Sequence, residues 1–173
     1  MCSRPRRAAA TPPTRAKSLR LKRTNTIGVI VPEISEGYST AVLGGIEDEL
    51  LKDGYFYFVV SHRHRPDLLR AYPPMLLARA VEGIITVDTP LGAELPVPVV
   101  GISGHRHHEG VINIELDHRQ AARLALSHLK ALGHERIAFI RGQVFSSDTN
   151  RRWSAIVEEA KALQIEIDPQ LVA

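Results

Sequence analysis

Thr26-Ile27-Gly28-Val29-Ile30-Val31, closed by Pro32, is an unbroken apolar run rich in β-branched residues. A strand with one face in water alternates polar and apolar positions. A run without alternation describes a strand buried on both faces, as in a parallel sheet. The segments that follow fit this reading. Residues 38–52 place Val42, Leu43, Ile46, Leu50 and Leu51 at helical spacing, with Gly54 as a stop. Residues 55–60 (YFYFVV) predict a second strand. Residues 67–80 are helical in outline, but Pro73-Pro74 predicts a kink or two short helices, because the residue before a proline resists the α region. Gly83–Val87 (GIITV), residues 97–102 (VPVVGI) and residues 111–116 predict three more strands. Residues 118–132 then predict a helix ended by Gly133, 136–141 (RIAFIR) a strand, and 148–163 a last helix. Strands alternating with helices define an α/β chain with a mostly parallel sheet. Residues 165–168 lead off as though another strand were due, and 169–173 close nothing recognisable, so the chain reads as cut short.

Charge divides the chain differently. Residues 1–26 carry eight Lys or Arg and no acid, which leaves fourteen basic against nineteen acidic residues in the remainder, a formal net of −5. A basic arm on an acidic body suits a polyanion partner, because each Lys or Arg that meets a phosphate releases a counterion. The first 14 residues, with Ala8-Ala9-Ala10 and Pro12-Pro13, read as a disordered basic leader. No stretch has the roughly 20 apolar residues of a membrane helix, so no membrane partner is expected. The basic start lacks the apolar run of a secretory signal. The single cysteine, Cys2, excludes an internal disulfide and any Cys-based metal cluster. These features point to the cytoplasm.

Motifs for catalysis are missing: there is no phosphate-binding G-x-x-x-x-G-K-[ST], no G-x-G-x-x-G, no G-x-S-x-G and no H-E-x-x-H. The chain therefore reads as a non-enzyme with no cofactor. His62-Arg63-His64-Arg65 and His105-Arg106-His107-His108 alternate histidine with cationic arginine, which would repel a metal ion; both read as surface loops at the sheet edge. In an open parallel sheet, ligands bind beyond the carboxyl ends of the strands. That rule selects residues 33–39, 61–65, 88–89, 103–107, Asp117 and 143–149, followed by Arg151, Arg152 and Trp153. Hydroxyls, carboxylates, guanidinium forks and aromatic faces together suit a small polar or polyhydroxylated molecule. Asp117 can equally be a helix cap, and Trp153 a core residue.

Several motifs, in order along the chain, resemble the LacI/GalR family of bacterial transcriptional regulators. Arg15-Ala16-Lys17-Ser18-Leu19-Arg20 is similar to the family's hinge segment and Thr26–Pro32 to its first core strand. Gly45-Ile46-Glu47, Val81-Glu82-Gly83-Ile84-Ile85, Leu116-Asp117-His118 and the stretch from His128-Leu129 through Gly133-His134 to Arg136-Ile137-Ala138-Phe139 continue the match. The resemblance implies a two-lobed core like the periplasmic sugar-binding proteins, with a small effector between the lobes, a homodimer, and operator DNA as partner. On that frame residues 1–14 are the leader, 15–25 a hinge-like segment near DNA, 26–117 a nearly complete first lobe, and 118–173 the truncated start of a second. Only 14 residues precede the hinge-like segment, and no helix-turn-helix is recognisable in them.

Carried over by motif, Leu19 takes the place of the hinge leucine that wedges into the minor groove, with Lys17 and Arg20 on neighbouring phosphates. Tyr38 and Ser39 match paired aromatic positions after the first strand, where Ser39 departs from the pattern. Asp117 matches the aspartate at the interlobe crossover. Arg152 matches the arginine of R-x-x-G, whose glycine is Ala155 here, with Trp153 beside it. The resemblance implies a ligand-responsive repressor. A sugar-binding protein of a transport system, or a truncated core that does not bind DNA, would share much of this pattern.

Overall fold

A computed structural model of the chain describes residues 23–35, 37–92, 94–103, 110–143 and 146–173. The leader, the hinge-like Lys17, Leu19 and Arg20, Glu36 and the His105–His108 cluster lie outside the described residues. Five strands form one sheet: β1 (Thr26–Val31), β2 (Phe56–Ser61), β3 (Gly83–Val87), β4 (Val99–Ile102) and β5 (Val111–Ile114). All neighbours pair in parallel, in the order β2-β1-β3-β4-β5. β1 is central, and Val29, Ile30 and Val31 are wholly buried, as an unalternating apolar run requires.

Successive residues of β1 feed opposite faces. On one, Val29 and Val31 join Val87 beneath Val42, Leu43 and Ile46 of α1 (Gly37–Lys52). On the other, Ile30 joins Ile84 and Val99 beneath Leu76 and Tyr72 of α2 (Pro66–Leu77). Gly28 is needed for this approach: a Cβ there would lie 2.8 Å from Leu76 Cδ1. The expected break at Pro73-Pro74 is corrected by the structure, in which α2 is one helix running through both prolines. The two missing N–H donors cost bonds to the preceding turn, but Pro73 and Leu76 are buried against the sheet, so packing holds the helix where internal bonding cannot.

Beyond β5 come α3 (His118–Ala131) and α4 (Ser147–Ala162), which pack around Leu126, Ile137, Phe139 and Ala160. Gly133, at φ 80°, lies just past the end of α3 in the left-handed conformation that closes helices. The strand expected at 136–141 is reduced to a parallel bridge between Phe139 and Val172. Phe139 N–H donates to Leu171 O at 2.7 Å and Ala173 N–H donates to Phe139 O at 2.9 Å. This corrects the reading of the last segment: residues 171–173, not 165–168, pair with it. Ile165 and Ile167 pack into the α3–α4 cluster instead, and a 3-10 turn at Pro169–Leu171, capped by Asp168, brings the chain to the bridge.

Candidate functional site

The sheet order reverses between β1 and β3. The connections from these strands leave in opposite directions, and it is beyond the carboxyl ends at such a switch point that open α/β sheets take their ligands. The residues just after β2, β3 and β4 line that edge, and four of them adopt a left-handed backbone without being glycine: Arg63 (φ 49°), His64 (φ 55°), Asp88 (φ 40°) and Ser103 (φ 57°). Such conformations cost of order 1–3 kcal/mol each and persist where surrounding structure over-determines them, often at ligand sites. Here all four lie in the loops that follow the carboxyl ends of β2, β3 and β4.

Tyr38, on the first turn of α1, has an exposed ring, and its hydroxyl lies 3.3 Å from Ser103 Oγ. Ser39 behind it is fully buried (0% exposed), and its hydroxyl has no partner among the described residues. Ser146 Oγ donates to Asp88 Oδ1 at 3.4 Å, and Arg151 Nη1 donates to Glu115 Oε2 at 2.9 Å; these contacts tie the start of α4 to the sheet. His118 Nε2 lies 3.3 Å from Asp148 Oδ1, joining the first turns of α3 and α4. Asp117 is exposed and caps α3, accepting Gln120 N–H at 2.9 Å on Oδ1.

Of the other expected residues, Arg152 is half-buried and its Nη2 donates to Arg141 O at 3.3 Å. Its guanidinium crosses Gly142, where a Cβ would come within 2.7 Å of Nη2. Trp153 meets Phe139 edge-on at 5.8 Å between ring centroids, with Arg141 Cζ 5.1 Å from its own ring centroid. Its neighbours are those of a core residue. A groove of about 300 Å³ lies between α3, α4 and residues 137–139, and among its described lining residues only His118 and Arg152 are polar. That lining offers little to a polyhydroxylated ligand, which needs convergent donors and acceptors. The carboxyl edge of the sheet supplies them.

His62 corrects the surface-loop reading of the first histidine cluster: it is buried, at 6% exposure. Thr89 Oγ1 donates to Val87 O at 2.7 Å, so it accepts from His62 Nε2, 3.1 Å away. His62 Nδ1 accepts the His64 N–H at 3.1 Å. The network assigns a neutral imidazole with its proton on Nε2. Burial lowers the His62 pKa below the ordinary 6.5, and the neighbouring His64 lowers it further against the opposing pull of Asp88. Among the described residues, no group of three or more His, Cys, Asp or Glu is placed to hold a metal ion.

Sequence reasoning selected the loops holding His62, Asp88, Thr89, Ser103 and Asp148, but it weighed His62 only as part of a surface histidine cluster and named none of the others as a site residue. The strand-end rule was the only signal for them. Among the described residues, no helix is long and apolar enough to cross a membrane.

Comparison with known proteins adds the following. Residues 24–162 match the family described as periplasmic binding proteins and the sugar-binding domain of the LacI family. The chain is 27% identical to catabolite control protein A of Staphylococcus xylosus over 91% of its own length and 50% of that protein. It is 25% identical to the transcriptional repressor PurR of Haemophilus influenzae over 91% of its length and 49% of the relative. A periplasmic binding protein/LacI transcriptional regulator from Alkaliphilus metalliredigens, solved with D-xylulofuranose, superposes with a TM-score of 0.74 at 28% identity, covering 84% of this chain and 55% of that one. The chain thus spans about half the length of the curated relatives it matches.

Proposed function

Because the chain belongs to the family of periplasmic binding proteins and LacI-type sugar-binding domains, we propose that it is the effector core of a LacI-type transcriptional repressor. A small sugar-like molecule binds at the carboxyl edge of the sheet, between the 26–117 lobe and the 118–173 segment, and controls operator DNA through the basic residues that precede β1. On this reading the protein is a cytoplasmic homodimer and not an enzyme. Lys17, Leu19 and Arg20 face DNA.

The observation that carries the reading is the pair of long polar contacts at the carboxyl edge of the sheet: Tyr38 with Ser103 at 3.3 Å and Ser146 with Asp88 at 3.4 Å. A sugar hydroxyl both donates and accepts, so it can enter between such pairs and make two shorter bonds in place of one long one. Tyr38 offers a ring face to the pyranose or furanose carbons, Asp88 and Asp117 accept from hydroxyls, and Arg152 donates a fork. Ser39 lies behind Tyr38, and Trp153 packs the turn of α4 that carries Arg152 onto Phe139. Ligand held by both the sheet edge and the start of α4 favours the arrangement in which they are close, and that shift in population alters the geometry passed to the DNA-binding end.

The test is calorimetric titration of the chain with a panel of pentoses, hexoses, disaccharides and purine bases. The reading expects saturable binding of one sugar, weakened in Tyr38→Ala and in Asp88→Ala. Binding confined to the purine bases would replace the sugar with a different effector class. Sugar binding that ignores both substitutions would move the site away from the carboxyl edge.

A further inference from the structure

Opposite the carboxyl edge, at the amino-terminal edge of the sheet, the chain enters β1 through a corner built around one carboxylate. Glu82 Oε1 accepts the backbone N–H groups of both Thr24 and Asn25, the second at 3.1 Å. Oε2 lies 3.8 Å from Arg23 Nε. The backbone N–H of Glu82 donates to Thr26 O at 2.8 Å, so a single residue brackets 23–26 with its side chain and its main chain. Thr24 Oγ1 adds a bond to Ala80 O at 2.6 Å, and Arg23 Nη2 donates to Tyr55 Oη at 3.2 Å. Two residues of this corner, Asn25 (φ 48°) and Ala80 (φ 57°), hold a left-handed backbone. Successive N–H groups beside a left-handed residue form a concavity that takes an anion, and here the protein's own carboxylate fills it.

β1 does not need this corner in order to pair. Its register is set by Thr26 against Phe56 and Ile27 against Gly83, and its side chains are buried by both helix layers. What the extra contacts fix is the direction of Arg23, the last residue of the basic arm. We infer that Glu82 is a latch: a positioning residue that ties residues 23–25, where the basic arm joins β1, to the amino-terminal edge of the sheet. The latch rests on the proposed repressor reading only for what the arm then touches.

Amide hydrogen exchange on the full chain, read residue by residue in wild type, Glu82→Ala and Glu82→Gln, tests it. Glu82→Ala is expected to speed exchange at Thr24 and Asn25 by roughly tenfold or more while Ile27–Val31 keep their protection. Glu82→Gln, which keeps an acceptor oxygen but loses the charge, is expected to fall between the two and covers the case in which the alanine variant folds poorly. Tryptic cleavage after Arg23 should rise in the same order. Unchanged exchange at Thr24 and Asn25 would overturn the latch. So would equal acceleration throughout β1, which would make Glu82 an ordinary support of the sheet. A wild-type chain that ignores duplex DNA would count against the repressor reading alone, since the exchange is read without DNA.

Discussion

Replacing His62 with alanine isolates the network at the carboxyl edge. His62 makes two hydrogen bonds, to Thr89 Oγ1 and from His64 N–H, in a site that is 6% exposed at His62 and 1% at Thr89. The substitution removes both bonds, leaves the His64 N–H without its acceptor, and opens a space the size of the ring. Each lost bond is worth about 1 kcal/mol, and a stranded buried polar group adds a similar amount, so the expected loss is about 2–4 kcal/mol at pH 8. The sign of the pH dependence follows from the lowered pKa. The neutral form fits the native network, so the stability it contributes is present above the unfolded-state pKa of about 6.5 and is lost as pH falls through the lower native value. The gap between wild type and His62→Ala must therefore narrow on acidification. Urea denaturation at pH 8, 7, 6 and 5 reads this directly, with a midpoint shift of about 1–2 M at pH 8. A gap that stays constant or widens toward pH 5 would refute the assigned neutral imidazole.

Gly28→Ala forces a Cβ to 2.8 Å from Leu76 Cδ1 and should lower the melting temperature by about 2–10 °C; pairing it with Leu76→Val should restore part of the loss in a thermal scan. Asp117→Asn preserves the cap of α3, whereas Asp117→Ala should cost about 1 kcal/mol in chemical denaturation. Both should weaken effector binding, and an asparagine variant with wild-type affinity would leave Asp117 as a cap alone. Arg152→Ala should reduce effector affinity about tenfold or more in calorimetry, from the loss of charge-assisted bonds worth about 1.5–3 kcal/mol each. Unchanged affinity would remove Arg152 from the site.

The sheet was legible because burial on both faces leaves an unmistakable mark on β1 and β3, and the alternation with helices then fixed the class. Pro73-Pro74 misled because local propensity argues for a break, while the deciding contacts come from a sheet distant in sequence. The pairing of 171–173 was hidden by its shortness, since three residues carry no periodicity. At the carboxyl edge, the strand-end rule selected these loops, but nothing in the identities of Asp88 or Ser103 announces a left-handed backbone. His62 sits between Ser61 and Arg63 and looks like surface; its burial depends on Thr89, 27 positions away. Asp117 and Trp153 each had a bland alternative, and the structure gives both a structural role, as cap and as packed ring.

A sheet whose strands all run one way has two chemically unlike rims. One collects the loops that carry polar side chains, and the other anchors the chain as it enters. β1 joins them as a rod of six residues, about 20 Å long, clamped between helices on both sides. A rod so confined does not flex, so it can only carry a message by tilting as a whole. On the proposed reading, a change at the ligand rim would reach Arg23 as a rotation of β1. The two rims share no residue, so on the proposed reading substitutions that retune ligand choice would leave the anchoring corner intact.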